Sequence, residues 1–215
     1  MISQYDLIVF DWDGTLANSI DWIVDCILQV AMDKNFIAPS VSACKGVIGM
    51  SLSEAMLTLF PNISEADKAD LVRLYRIRYM SKGITPNDLF LDAVPVLKEL
   101  QQMGTVLAIA TGKGQLGLDR ALDGTGVRSF FNELRCAETM ASKPNPQMLL
   151  DIMEATQISE KKTLMIGDST LDLMMANKSS VQSVGVTTGA HSRSQLNTQN
   201  PMACIDTLTE LFREQ

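Results

Sequence analysis

Histidine is almost missing from these 215 residues, because His191 is the only one. A lone histidine excludes any His-rich metal centre, and His191 reads as a loop residue with no nucleophile triad built around it. Cysteine is equally unhelpful: Cys26, Cys44, Cys136 and Cys204 are scattered, with no CxxC pair. They read as small apolar fillers in a reducing compartment, not as disulfides or metal ligands. No block of Lys or Arg occurs, and 18 basic against 25 acidic residues leave a net charge of −7. That balance disfavours nucleic acid and anionic membranes as partners. The longest apolar runs, LIVF (7–10) and TVLAIA (105–110), fall far short of the roughly 18 residues of a membrane span. Asp6 and Asp11 interrupt the stretch where an export signal would need apolar continuity, so a cytoplasmic location is expected. Yet 46% of the residues are hydrophobic, too many for a disordered chain and enough for one good core with a small second lobe.

The pattern of those hydrophobic residues suggests an α/β architecture. DLIVF (6–10), TVLAIA (105–110), ELRCA (133–137), TLMIG (163–167) and SVGVT (183–187) read as strands buried on both faces. Helices are expected between them, near 92–103, 115–123, 145–156 and 170–178, with a last one from about 207. Alternation of this kind indicates a doubly wound parallel sheet. The segment from about 17 to 83 lies outside the rhythm. Ile20, Ile23, Val24, Ile27, Leu28 and Ala31 recur at helical spacing, Ser51–Phe60 repeats the pattern up to Pro61, and Ser64–Met80 follows with Ser64 as its cap. We expect residues 17–83 to form a helical cap inserted into a core made of 1–16 and 84–215, with Ser81-Lys82-Gly83 beginning the return.

In open parallel sheets, functional groups collect beyond the carboxyl ends of the strands. There the sequence offers Asp11-Trp12-Asp13-Gly14-Thr15-Leu16, then Thr111-Gly112-Lys113, then Ser142-Lys143-Pro144, then Gly167-Asp168-Ser169-Thr170-Leu171-Asp172. Several carboxylates in one crevice repel each other, and a hard divalent cation relieves that repulsion. Mg²⁺ typically joins one or two carboxylates to a substrate phosphate, while a hydroxyl and an amine neutralise the remaining phosphoryl oxygens. A carboxylate held in line with such a phosphorus can attack it, and a second acid can protonate the leaving alkoxide. Asp11 and Asp13, two apart at a strand end, can lean the same way, and Gly14 lets the chain turn away close to a ligand.

These four motifs, in this order, strongly resemble those of the haloacid-dehalogenase-like hydrolase superfamily. With the early helical insertion, the chain looks most like its phosphoglycolate-phosphatase-like group. The resemblance implies a Mg²⁺-dependent phosphatase acting on a small phosphomonoester through a phosphoaspartate. It makes Asp11 the nucleophile and Asp13 the general acid/base, with Thr111 and Lys143 holding the phosphoryl group. Mg²⁺ would be bound by Asp11, the Asp13 main-chain carbonyl and Asp168, and Asp172 would orient Lys143 or a metal-bound water. A hexose phosphate mutase of the same superfamily is the nearest alternative. From another class, a phosphoacceptor or binding module without turnover should be shorter and lack the insertion.

Two further signals carry less. Gly112-Lys113-Gly114-Gln115-Leu116-Gly117 is a literal GxGxxG, but the first-strand position of a dinucleotide site is taken by the two aspartates. Lys45, Arg73, Arg76 and Arg78 are the cap residues able to meet an anionic substrate tail, although solvation is the ordinary role of such side chains. Ser169 reads as a helix N-cap.

Overall fold

A computed structural model describes residues 2–213. Six strands, β1 (Leu7–Phe10), β2 (Val106–Thr111), β3 (Glu133–Cys136), β4 (Thr163–Gly167), β5 (Gln182–Val186) and β6 (Ala203–Ile205), form one all-parallel sheet in the order β3-β2-β1-β4-β5-β6. The most apolar strand, β1, lies in the middle. Leu7 pairs with Val106 on one side and Thr163 on the other, and all four β1 side chains are fully buried. At roughly 1.5–3 kcal/mol per large buried apolar side chain, this short strand is a substantial part of the core.

Helices cover both faces. Ile8, Phe10, Leu107 and Ile109 pack beneath α5 (Ala93–Gln102) and α6 (Gln115–Thr125). Leu7, Val9, Ala108 and Ala110 face α7 (Gln147–Thr156) and α8 (Thr170–Lys178). The sheet turns direction between β1 and β4: β2 and β3 continue to one side, β4 to β6 to the other. This switch point puts the loops after β1 and β4 beside one crevice.

Between β1 and α5 the chain forms α1 (Ile20–Asp33), α2 (Val41–Gly46), α3 (Leu52–Leu59) and α4 (Glu65–Ser81), which share their own apolar cluster of Ile23, Ile27, Cys44, Met56 and Leu71. The way in and the way out run side by side: Phe90 N–H donates to Leu16 O at 3.0 Å and Asn18 N–H to Asp88 O at 2.8 Å.

Four elements depart from expectation. The helix expected from about 207 is a single 3₁₀ turn, Leu208–Phe212. Its cap residues Thr207 and Glu210 engage each other as at a helix start, but the buried pair Leu208 and Leu211 repeats every three residues, which suits the tighter winding. Strand β6 pairs on one side only and is three residues long, too short to show a period. Helices α2 and α9 (Arg193–Asn197) are similarly short; Ser40 and Ser192 cap them. None of the described helices is long and apolar enough to cross a membrane. Cys26, Cys44 and Cys136 are buried thiols, and all four cysteines are unpaired.

Candidate active site

The first strand ends where its ladder still holds: Asp11 N–H donates to Ile166 O at 2.9 Å, so Asp11 leaves the sheet edge in register with β4. Gly14 then takes φ +83°, in the region that favours glycine. A Cβ there would strike the Asp168 carboxylate, so the glycine lets the turn close over that acid.

Asp11, Asp168 and Asp172 are all buried, and each offers a carboxylate oxygen within 4.8 Å of the others. Lys143 comes in from the loop after β3 with a side chain 0% exposed. Its Nζ donates to Asp11 Oδ1 at 2.6 Å and lies 2.7 Å from Asp172 Oδ1, close enough to pair but not aligned for a hydrogen bond. Three carboxylates against one ammonium leave the cluster short of positive charge.

Electrostatics follow from this crowding. Burial raises the Asp11 carboxyl, Lys143 opposes the rise and Asp172 adds to it, so its pKa is pushed up to about 7. Burial, then Asp11 and Asp172, hold Asp168 well above the ordinary carboxylate range. Burial pulls Lys143 down, but the Asp11 and Asp172 carboxylates outweigh it and keep the ammonium above the usual lysine value. Asp168 is anchored by Thr15 Oγ1 at 2.9 Å and by Ala190 N–H at 2.7 Å. At the start of α8, Ser169 and Asp172 make a reciprocal cap, and His191 Nδ1 accepts from Thr170 N–H at 2.9 Å. Ser169 is thus the N-cap, and His191 sits in a loop with its ring buried, where desolvation lowers its pKa.

Asp13 stands outside the carboxylate cluster. Ser19 Oγ donates to its Oδ1 at 2.6 Å, and Lys113 Nζ donates to its two oxygens at 2.8 and 2.7 Å. The same ammonium donates to the Tyr79 hydroxyl on α4 at 2.8 Å. Lys113 is the site residue that sequence reasoning passed over. Its signal was position: it stands two residues beyond the end of β2, as Asp13 stands three beyond the end of β1, on the same crevice. Burial lowers Lys113, while Asp13 and Tyr79 outweigh it and raise it above the usual lysine value.

Thr111, the last residue of β2, is buried and lines the same cavity as Asp11 and Asp13. Its Oγ1 accepts from Lys113 N–H at 3.2 Å. Gly112 allows the helical block to dock here, because a Cβ at this position would run into the carbonyl oxygens of Gly49 and Met50. The GxGxxG segment does not present a phosphate seat. Gln115 N–H at the start of α6 already donates to Glu138 Oε2 at 2.8 Å. Of the four cap cations, only Arg76 lines the cavity; Arg73 and Arg78 pair with Asp70 and Asp33 instead.

Sheet order, switch-point crevice and buried acid cluster together define a doubly wound α/β enzyme. The chain belongs to the haloacid dehalogenase-like hydrolase family, whose model it matches over residues 8–186. It is 30% identical over 209 residues to a Dickeya dadantii protein named as a phosphatase, IndB, covering 95% of this chain and 91% of that one. It is 29% identical over 215 residues to the phosphoglycolate phosphatase of Vibrio parahaemolyticus, covering 96% and 94%. Its fold matches a hydrolase from Pseudomonas syringae with a TM-score of 0.86 at 20% identity, over 96% of this chain and 95% of that one. It also matches β-phosphoglucomutase from Clostridium difficile with a TM-score of 0.84 at 18% identity, over 96% and 93%.

Proposed function

We propose that this protein is a Mg²⁺-dependent phosphomonoesterase working through a phosphoaspartate at Asp11. The observation that carries the reading is the buried cluster of Asp11, Asp168 and Asp172 with a single lysine against it. Such a cluster fits a hard divalent cation, because three buried carboxylates and one ammonium need further positive charge. Asp11, Asp168 and the main-chain carbonyl of Asp13 would hold the ion. When bound, it would supply charge neutralisation for the phosphoryl oxygens and the attacking carboxylate.

The side chains divide the remaining work. Asp11 attacks phosphorus, and the ester oxygen leaves with a proton from Asp13. Asp13 then takes a proton from the water that attacks the aspartyl phosphate, releasing inorganic phosphate and restoring Asp11. Its contacts with Lys113 Nζ and Ser19 Oγ fix the orientation of the Asp13 side chain. Lys143 and the Thr111 hydroxyl neutralise and orient the phosphoryl oxygens, and Asp172 keeps Lys143 in place. Residues 17–83 act as the cap that excludes water and meets the leaving group. Names borne by relatives make phosphoglycolate one substrate to try.

Steady release of inorganic phosphate from p-nitrophenyl phosphate, with Mg²⁺ and after chelation, tests the proposal. Turnover that stops on chelation and in Asp11→Asn supports it. Undiminished turnover in either condition refutes it. A mutase would instead return the phosphoryl group to a sugar, and a phosphoacceptor module would release phosphate once at most.

A further inference from the structure

The cavity above Asp11 and Asp13 has a volume of about 650 Å³. At about 30 Å³ per water in the liquid, that is room for roughly twenty waters. A phosphoryl group with a two-carbon acid tail has about nine non-hydrogen atoms and fills less than half of this space at that volume per atom. Space therefore remains beyond the phosphoryl end for the rest of a larger substrate.

The chemistry of the wall identifies its class. Asp11, Asp13, Thr111 and Lys113 line the floor at the carboxyl ends of β1 and β2, and the other polar side chains of the wall are Ser51, Ser53, Tyr75, Arg76, Tyr79 and Glu138. Away from that floor the wall is largely hydrocarbon, with Ile23, Ile48, Met50, Leu52, Val72 and Leu116 contributed by both the helical block and α6. Among the described residues the wall holds two cations, and each is already matched by a carboxylate of the same wall. Lys113 is 8% exposed and pairs with Asp13, while Arg76 lies 3.2 Å from Glu138. The remaining carboxylate of the lining, Asp11, is paired with Lys143, so no cation of the wall stands unmatched among the described residues. An anionic tail would have to share a cation with the carboxylate already paired to it, whereas an apolar tail would release water from hydrocarbon on both sides.

We infer that the preferred substrate is a phosphomonoester of an alcohol with an uncharged, apolar body of about six or more carbons, not a short dianionic acid. This inference rests on the proposed phosphatase reading and deepens it by naming the leaving group.

Two matched series test it on the full chain with Mg²⁺. The n-alkyl phosphates from ethyl to octyl share one type of primary alkoxide leaving group and differ only in apolar length. The ω-carboxyalkyl phosphates of the same lengths add a charge at the far end. The expected result is a rise in kcat/KM of up to about fourfold per added methylene until the cavity fills, with each carboxylated ester at least about tenfold below its alkyl partner. Met50→Asp and Val72→Asp, on separate elements of the wall, should each flatten the length dependence. A flat alkyl series, preference for the carboxylated or an ω-amino series, or an unchanged slope in both folded variants would overturn the inference. p-Nitrophenyl phosphate separates the two levels. Phosphate release from it with a flat alkyl series leaves the phosphatase reading standing and removes the substrate class. No release from any ester removes the phosphatase reading itself.

Discussion

Replacing Asp168 by Asn should make the metal-free protein more stable at alkaline pH and abolish its stabilisation by Mg²⁺. The three clustered carboxylates approach within 4.8 Å of one another. At an effective dielectric constant of about 20, each like-charged pair at that distance costs about 3.5 kcal/mol. Asp168 has two such neighbours, and Lys143 neutralises roughly one of them, leaving about 3 kcal/mol of repulsion. Asn removes it but weakens the charge-assisted bonds from Thr15 Oγ1 and Ala190 N–H by roughly 1 kcal/mol in all. The net gain is about 1–2 kcal/mol, or roughly 3–6 °C in Tm for a chain of this length. The gain depends on pH. A carboxyl held above its ordinary value contributes stability that is fully present below about 3.8 and lost as pH rises through the folded-state value. Thermal melts in chelator at pH 5 and pH 8.5 should therefore show wild type and variant converging at the lower pH and separating at the higher. Saturating Mg²⁺ should reverse the order, since a ligand at a hundred times its Kd stabilises the wild type by about 2.7 kcal/mol and the variant by little. A variant less stable than wild type in chelator at pH 8.5, or equal stabilisation of both by Mg²⁺, would refute the reasoning.

Other perturbations have equally definite outcomes. In chelator, the stability contributed by protonated Asp11 should be lost between about pH 4 and pH 7, and Asp11→Asn should remove that part of the pH dependence in urea titrations. Lys143→Met leaves Asp11 and Asp172 buried without their cation, so the metal-free fold should lose about 3–5 kcal/mol and phosphate release should cease. Lys113→Met frees Asp13 from its ammonium and severs its link to Tyr79 on α4; kcat should fall at least about tenfold, with Lys113→Arg a poor rescue in so enclosed a position. Gly112→Ala drives a methyl group into the Gly49 and Met50 carbonyls and should cost about 1–3 kcal/mol in chemical denaturation while lowering turnover through a displaced 49–50 loop.

The long-period features of this fold were readable, and the short ones were not. β1, β2 and β4 are unbroken apolar runs because both faces are covered, and that makes them visible without any context. β6 has one partner and three residues, so nothing in Ala203–Ile205 distinguishes it from a loop. The segment after Thr207 carried a genuine helix-start signal, yet packing of Leu208 and Leu211 decided for a 3₁₀ turn. At the site, Asp11, Asp13, Thr111, Asp168 and Asp172 stand at a strand end, just beyond one or in the first turn of a helix, Lys143 is marked by its place in the order of the motifs, and the fold gathers all six at one crevice. Lys113 follows a strand end too, but its importance arises from a pair with Asp13 a hundred residues away and from Tyr79 in the helical block. Sequence spacing contains neither contact. The guanidinium groups at Arg73 and Arg78 illustrate the converse: a cationic stripe on α4 is spent on Asp70 and Asp33, outside the cavity.

The division of labour between Asp11 and Asp13 is the central claim, and covalent labelling with an acyl phosphate tests it most directly. Radiolabelled acetyl phosphate has a leaving group that departs with little help from a proton. Asp13→Asn should accumulate label on Asp11, since the attack proceeds while hydrolysis of the aspartyl phosphate is slowed; Asp11→Asn should take up none. Near-normal turnover of an alkyl phosphate by Asp13→Asn, or label recovered at residue 11 of Asp11→Asn, would contradict the account.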